Sequence, residues 1–367
     1  MQSLNLANRT MPHCYTFLST TVADWSRSAF SAGVAVAMTL APCFVSADDS
    51  AHAPERGFFS TTQADNWEQA LITGNGIIGA LVMGNPLDET VTFSHERLFM
   101  PWFDSQPIVN MAPHLRRIRD MIRNGTYRES AEFVMQLAER QGYEEMRWTD
   151  PLVPAFDLNV SLKPSGSVQN YRRAVDFATG VTSVHWRDDR GLFQRRLFVS
   201  RADNVAVMSL RGLQGQTVDC RVSLATTPDA SPEEAPEEDE DTAYAQGVRD
   251  VEISSAGPTI SYSSRFTRSR EDSIVGHEGA ALVVANQGEI HHAADSIEIT
   301  AAKEVLVFVT LDVLPTEVPD AQERLAQRLR HLPPDFDSLL ARHVKIHGEI
   351  FNRVKLDLGG GRRRVLS

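Results

Sequence analysis

Cysteine is almost missing from this chain: Cys14, Cys43 and Cys220 are the whole supply in 367 residues. Three thiols cannot build the disulfide framework of a small stapled fold, so stability has to come from a core. Basic residues are also in deficit, 36 Lys and Arg against 48 Asp and Glu, and the formal net charge is -12. An acidic surface without a Lys/Arg patch repels phosphate backbones, which excludes nucleic acid as a partner. No G-x-S-x-G elbow and no H-E-x-x-H helix occurs, so the common serine-hydrolase and zinc-protease signatures are absent. What is plentiful is ordinary: 42% hydrophobic and 23% charged residues. That balance belongs to a folded soluble chain long enough to bury a large core.

Charge is sparse at the start, where only Arg9, Asp24 and Arg27 are charged in the first 47 residues. An apolar stretch of about 17 residues, Ala29 to Val45, follows Arg27, and Val45-Ser46-Ala47 offers the small residues that a signal peptidase requires. Residues 1–47 are therefore expected to be a signal peptide cleaved after Ala47. The stretch is short for a membrane span, and Gly33 and Pro42 weaken it as a permanent helix, so no membrane association is expected after cleavage. Cleavage removes two arginines and one aspartate, taking the net charge from -12 to -13, and leaves Cys220 alone. The mature chain is expected in the periplasm or secreted.

From Phe156 onward short runs of alternating apolar residues follow one another, as in Phe156 to Leu162, Val181 to Trp186, Leu192 to Val199 and Val205 to Leu210. Further runs cover Val218 to Leu224, Thr259 to Tyr262, Ala280 to Ala285, Ile297 to Thr300 and Val305 to Val313. Strands at this spacing, without helices between them, predict antiparallel sheets. Earlier, Ile77 to Met83 and Val91 to Phe93 predict a strand pair, with a loop from Ser94 to Trp102. Leu115, Ile118, Met121 and Ile122, then Phe133, Val134, Leu137 and Ala138, recur at helical spacing and predict a helical hairpin inserted at 111–142. Phe336, Leu339, Leu340, His343, His347, Ile350 and Val354 share one helical face and predict a closing amphipathic helix. The acidic run Glu233 to Asp241, interrupted by Pro236, reads as a solvated loop rather than a calcium site.

Gly74-Asn75-Gly76-Ile77-Ile78-Gly79 satisfies G-x-G-x-x-G, but a strand-like run follows where a dinucleotide site needs a helix. No cofactor is expected. His343 and His347 stand one turn apart, yet Val344 occupies the position where a metalloprotease needs glutamate, so packing is expected instead of metal. Ser94-His95-Glu96-Arg97 with Phe99, Pro101 and Trp102 gathers an imidazole, a carboxylate and rings in one loop. Rings stack on sugar C–H faces and carboxylates accept from hydroxyls, so His95, Glu96 and Trp102 are the candidate substrate-binding residues, against the alternative of a structural loop with an ion pair. No second convergent acid can be nominated, and no residue is assigned as catalytic.

Trp67-Glu68-Gln69-Ala70-Leu71 running into Gly74-Asn75-Gly76-Ile77-Ile78-Gly79-Ala80-Leu81-Val82-Met83-Gly84 resembles the opening segment of family 95 glycoside hydrolases. Five further pieces follow in order: Glu96 with Leu98, the helical stretch Ile118 to Ala131, Tyr171 to Asp176, Arg195 to Ser200, and His347 with Ile350 to Gly359. Thr73 stands where the family has proline, and His95 where it has asparagine. The resemblance implies a large antiparallel β super-sandwich over residues 58–320, a linker helix region at 321–358 and an aberrant or truncated tail at 359–367. It also implies that a missing (α/α) barrel carries the groups for inverting hydrolysis of α-L-fucosyl or related α-L-galactosyl linkages. The expected partner is a fucosylated or related glycan. A stand-alone carbohydrate-binding module is the competing reading.

Overall fold

Sixteen strands pair into two antiparallel sheets in the computed structural model, which describes residues 53–102, 108–143, 150–227, 247–271 and 273–356. The expected leader, the acidic run 233–241 and the tail 359–367 lie outside the described residues. In chain order the first elements are β1 (Gly57–Ser60), β2 (Leu71–Gly74), β3 (Ile78–Val82) and β4 (Asp88–His95), then helices α1 (Leu115–Arg123) and α2 (Tyr127–Arg140). Next come β5 (Phe156–Leu162), β6 (Gln169–Asp176), β7 (Val181–Asp188), β8 (Gly191–Val199), β9 (Ala206–Gly212) and β10 (Val218–Ala225). The last strands are β11 (Val248–Ala256), β12 (Thr259–Phe266), β13 (Gly276–Asn286), β14 (Glu289–His292), β15 (Ser296–Ala302) and β16 (Glu304–Leu314), followed by α3 (Ala321–Arg330) and α4 (Phe336–Phe351).

One sheet has nine strands in the order β1-β6-β7-β8-β9-β16-β13-β12-β11, and the other has seven in the order β14-β15-β10-β5-β4-β3-β2. The fold is a mainly β antiparallel sandwich, as the strand texture predicts. Its core is made by the side chains that alternate inward. Phe93, Phe156 and Tyr262 form one aromatic chain across it, with ring centroids 5.7 Å and 5.2 Å apart, and Trp186 stacks on Phe193 at 5.5 Å. Each such ring contributes roughly 1.5–3 kcal/mol by leaving water. Gly279 is part of this packing: a Cβ there would lie 2.2 Å from the Phe156 ring. Only a residue without a side chain lets that ring seat against β13.

The two sheets differ in how they are covered. β10 alternates buried and exposed positions because its outer face meets solvent. By contrast β13 and β16 are buried almost continuously, since the outer face of the nine-stranded sheet carries a second cluster. There Phe198, Val207, Leu282 and Phe308 pack against Leu325 and Leu329 of α3 and Phe336 and Leu339 of α4. Two helices follow the last strand, where the apolar spacing predicts one over residues 336–354. The first of them, α3, is short and charged, and it buries only Ala321, Leu325, Ala326 and Leu329. Asp335 caps α4 by accepting from the Ser338 amide at 2.6 Å.

The helical pair α1 and α2 falls within the 111–142 segment. α1 buries no residue and α2 buries Ser130, Leu137 and Ala138. Arg117 lies over the Phe133 ring at 4.1 Å, so the two helices hold each other partly through a cation–π contact.

Candidate functional site

His95 ends β4, where the strand turns away from its neighbour. Its Nδ1 accepts from the Arg97 amide at 3.1 Å, so the neutral ring carries its proton on Nε2. Burial holds its pKa below the ordinary histidine value, and the nearby Asp312 and Glu96 carboxylates offset part of that. His95 is thus a neutral donor in a cleft.

Glu96 is exposed, and its main-chain amide donates to the Ile77 carbonyl at 2.9 Å. It does not line that cleft. Trp102 is half-buried against the core, under the Arg268 guanidinium at 4.6 Å, with its amide donating to Asp150 at 3.0 Å. Of the three candidates, only His95 lines that cleft.

The cleft measures about 440 Å³ and lies between the end of β4, the start of β13, the end of β16 and the first turns of α3. Its polar lining is His95, Arg97, Glu278, Asp312, Arg324 and Arg328. Val313, Leu314, Pro315 and Val318 supply an apolar side. Glu278 and Asp312 are direct cross-strand partners on the β13–β16 ladder, so their side chains share one face. Arg265 donates to Glu278 Oε1 at 2.9 Å and also holds Glu317 at 3.1 Å. Arg328 approaches Asp312 at 3.6 Å. Glu278 Oε2 is buried without a hydrogen-bond partner, the one carboxylate oxygen of which this is true among the described residues.

Sequence reasoning missed Glu278 and Asp312. The available signal was an acidic residue on a strand face otherwise occupied by Ala280 and Leu282, or by Thr310 and Phe308. Residues 278 and 312 lie 34 positions apart and meet only through the strand pairing.

The glycine-rich motif and the histidine pair have structural employment. Gly74 to Gly79 is the β2–β3 hairpin. Asn75 caps it: Oδ1 accepts from the amides of Ile77 and Ile78 at 2.8 Å each, and Nδ2 donates to the Ser200 carbonyl at 3.0 Å and to Asn204 at 2.7 Å. Thr73 adds a bond by donating to the Gly180 carbonyl at 2.6 Å. Gly180 adopts φ +66, and a Cβ there would reach 3.3 Å from His343. His343 Nδ1 accepts from the Arg201 amide at 3.0 Å while its Nε2 donates to the Thr179 carbonyl at 3.0 Å. His347 donates to the Phe177 carbonyl at 2.9 Å. With both nitrogens taken by main chain, His343 fastens α4 to the β6–β7 turn, and burial and the neighbouring His347 lower its pKa to about 4. Among the described residues no group of three His, Cys, Asp or Glu is placed to hold a metal.

A second charged cluster lies under the turn at Met83 to Pro86. Glu89 accepts from the Gly84 amide at 2.7 Å and pairs with Arg195, which also donates to the Asn85 carbonyl at 2.6 Å. Arg173 donates to the carbonyls of Gln69 at 2.8 Å and Met83 at 3.1 Å, and Tyr171 donates to that of Gly84 at 2.8 Å. Burial pushes the Glu89 carboxyl upward, and Arg195 and the Gly84 amide pull it back.

Residues 58–313 match the family described as glycosyl hydrolase family 65, N-terminal domain. The chain belongs to that family. The match makes it a glycoside-hydrolase β-sandwich of family 65 and not specifically of family 95; the segments that suggested family 95 lie inside the matched span except the last, which starts at His347. A solved structure from the human microbiome, provisionally named kojibiose phosphorylase, aligns with 8% identity and a TM-score of 0.42. The alignment covers 81% of this chain and 39% of that one, so this chain spans well under half of its length. No curated protein matches this chain.

Proposed function

We propose that this chain is the amino-terminal sandwich of an exported enzyme that hydrolyses α-L-fucosides or related α-L-galactosides, with the reactive carboxylates on an (α/α) barrel outside residues 58–356. Family membership supports a carbohydrate-active protein. The resemblance to family 95 supports the fucoside. The observation that carries the division of labour is the placement of Glu278 and Asp312. Glycosidase carboxylates stand on opposite sides of the scissile bond, roughly 5–9.5 Å apart. These two are neighbours on one face of one ladder, a placement that supports gripping a sugar from one side.

Arg173, Arg195 and Asn75, which belong to the family 95-like segments, tie the β2–β3 hairpin and the following turn to the nine-stranded sheet. In this reading those segments persist because the scaffold needs them. The leader 1–47 would carry the protein to the periplasm or outside the cell.

The test is a product of the same gene lengthened by the coding region downstream of Ser367. It should release nitrophenol from nitrophenyl α-L-fucoside with inversion at the anomeric carbon. Phosphate-dependent cleavage of a glucose disaccharide, without fucoside hydrolysis, would replace the fucoside assignment by a phosphorylase. A stand-alone carbohydrate-binding module is the second reading, favoured by a cleft that presents donors and acceptors together.

A further inference from the structure

The cleft beside α3 is assigned to no ligand by the family match, and its chemistry is selective. We propose that it binds one neutral sugar ring, gripped between Glu278 and Asp312 on the floor and His95 and Arg324 at the sides. The inference rests on the carbohydrate reading of the domain and adds to it a ligand site within the sandwich.

Three ligand classes can be weighed against the lining. An anion would be drawn to Arg97, Arg324 and Arg328 but would have to approach two carboxylates side by side. A cation would meet the carboxylates but also three guanidiniums. A neutral polyol suffers neither repulsion, and each of its hydroxyls both donates and accepts. It can donate to Glu278 and Asp312 and accept from His95 Nε2–H and Arg324. The apolar strip Val313, Leu314, Pro315 and Val318 offers a surface for the C–H face of a ring.

Glu278 supplies the independent sign of an absent partner. Its residue is 4% exposed, its Oε1 is held by Arg265, and its Oε2 has nothing to accept from. Burying an acceptor without a donor costs free energy that a native structure rarely leaves unrecovered. A sugar hydroxyl would complete it. Asp312 lies beside it with only a 3.6 Å approach from Arg328, and Arg324 is exposed on the adjacent turn of α3. The cleft volume of about 440 Å³ falls within the roughly 300–1,000 Å³ of small-molecule sites.

Calorimetric titration of the full chain with methyl α-L-fucoside, methyl α-D-glucoside and inorganic phosphate tests this. The expected result is binding of a methyl glycoside and none of phosphate, weakened at least tenfold by Arg324→Ala and by Asp312→Asn. Both substitutions are at residues with exposed or half-exposed side chains and should leave the melting temperature unchanged, so weakened binding cannot be blamed on misfolding. Glu278→Gln should abolish binding; if that variant fails to fold, the other two still decide. Binding of phosphate alone would make this an anion site and overturn the proposal. So would the absence of any binding, or glycoside binding indifferent to Arg324→Ala. Binding of the glucoside alone keeps the cleft and removes the fucoside. Fucoside hydrolysis by the lengthened product with no binding here would leave the enzyme reading standing and sink this one.

Discussion

Glu89 and Glu278 are both glutamates buried between strands, and they are finished differently. At Glu89 each carboxylate oxygen has a donor, the Gly84 amide on one and Arg195 on the other. At Glu278 Arg265 serves one oxygen, and the other is buried without a donor in a residue that lines the cleft. The first is a closed structural cluster that fixes a turn. The second is a carboxylate held in place with capacity to spare, which is what a binding group requires. Burial of a charged residue does not by itself distinguish these roles. Its unfilled partners do.

The sharpest way to break the comparison is to remove Glu89. Glu89→Ala strands the Arg195 guanidinium in the core and should cost about 3–5 kcal/mol in urea unfolding, because truncating one member of a buried pair leaves an uncompensated charge. Glu278→Gln, read in the same experiment, should shift stability far less, since Arg265 keeps its bond to Glu317 and can still donate to the amide oxygen. Equal losses at the two positions would erase the distinction.

Next in size is a pH effect from the residue that precedes Glu278. His277 donates from Nε2 to the Ala155 carbonyl at 2.8 Å and lies 3.0 Å from Ser264 through Nδ1. Burial lowers its pKa from 6.5 to about 4. Above pH 6.5 neither the folded nor the unfolded form is protonated, so stability is full. As pH falls toward 4 the unfolded chain takes up a proton that the folded one refuses, and stability declines. At about 1.4 kcal/mol per pKa unit the loss approaches about 3 kcal/mol. Melting curves between pH 7 and 4 should fall, and His277→Gln should flatten them by its share. An unchanged slope would mean that the buried ring is not neutral as described.

Asn75→Ala removes four hydrogen bonds at the β2–β3 hairpin and should cost about 2 kcal/mol, smaller because water can reach part of the turn. The smallest effect is Asp335→Ala at the α4 cap, about 1 kcal/mol. Both changes leave the cleft residues in place, so sugar binding there should persist in each.

The strands that alternation reveals are those in the middle of the sheets. Four that it leaves unmarked, β1, β2, β11 and β14, are the edge strands of the two sheets. β11 and β14 show the cause: Val248 to Ala256 and Glu289 to His292 have no buried residue, so neither carries an inward apolar series to read. β6, with Tyr171 and Arg173 turned to hydrogen bonding, is legible only through the family resemblance. α3 hides for a related reason, since Arg324, Arg328 and Arg330 mask a face of Leu325 and Leu329.

Of the candidate site, His95 is legible because it shares a loop with aromatic and acidic neighbours. Glu96 and Trp102 share that loop too, but chain proximity does not decide direction. The turn after β4 exposes Glu96, and Trp102 lies beneath Arg268. Glu278 and Asp312 belong to strands whose apolar composition advertises core, and only the ladder register sets them side by side.

Hydrolysis by this chain itself is the decisive measurement. Incubated at high concentration with nitrophenyl α-L-fucoside, it should release no nitrophenol above the buffer rate, because the proposed function puts the cleaving carboxylates on a barrel outside residues 58–356. Steady turnover that disappears in Asp312→Asn or Glu96→Gln would place the cleaving groups within these residues and contradict the account.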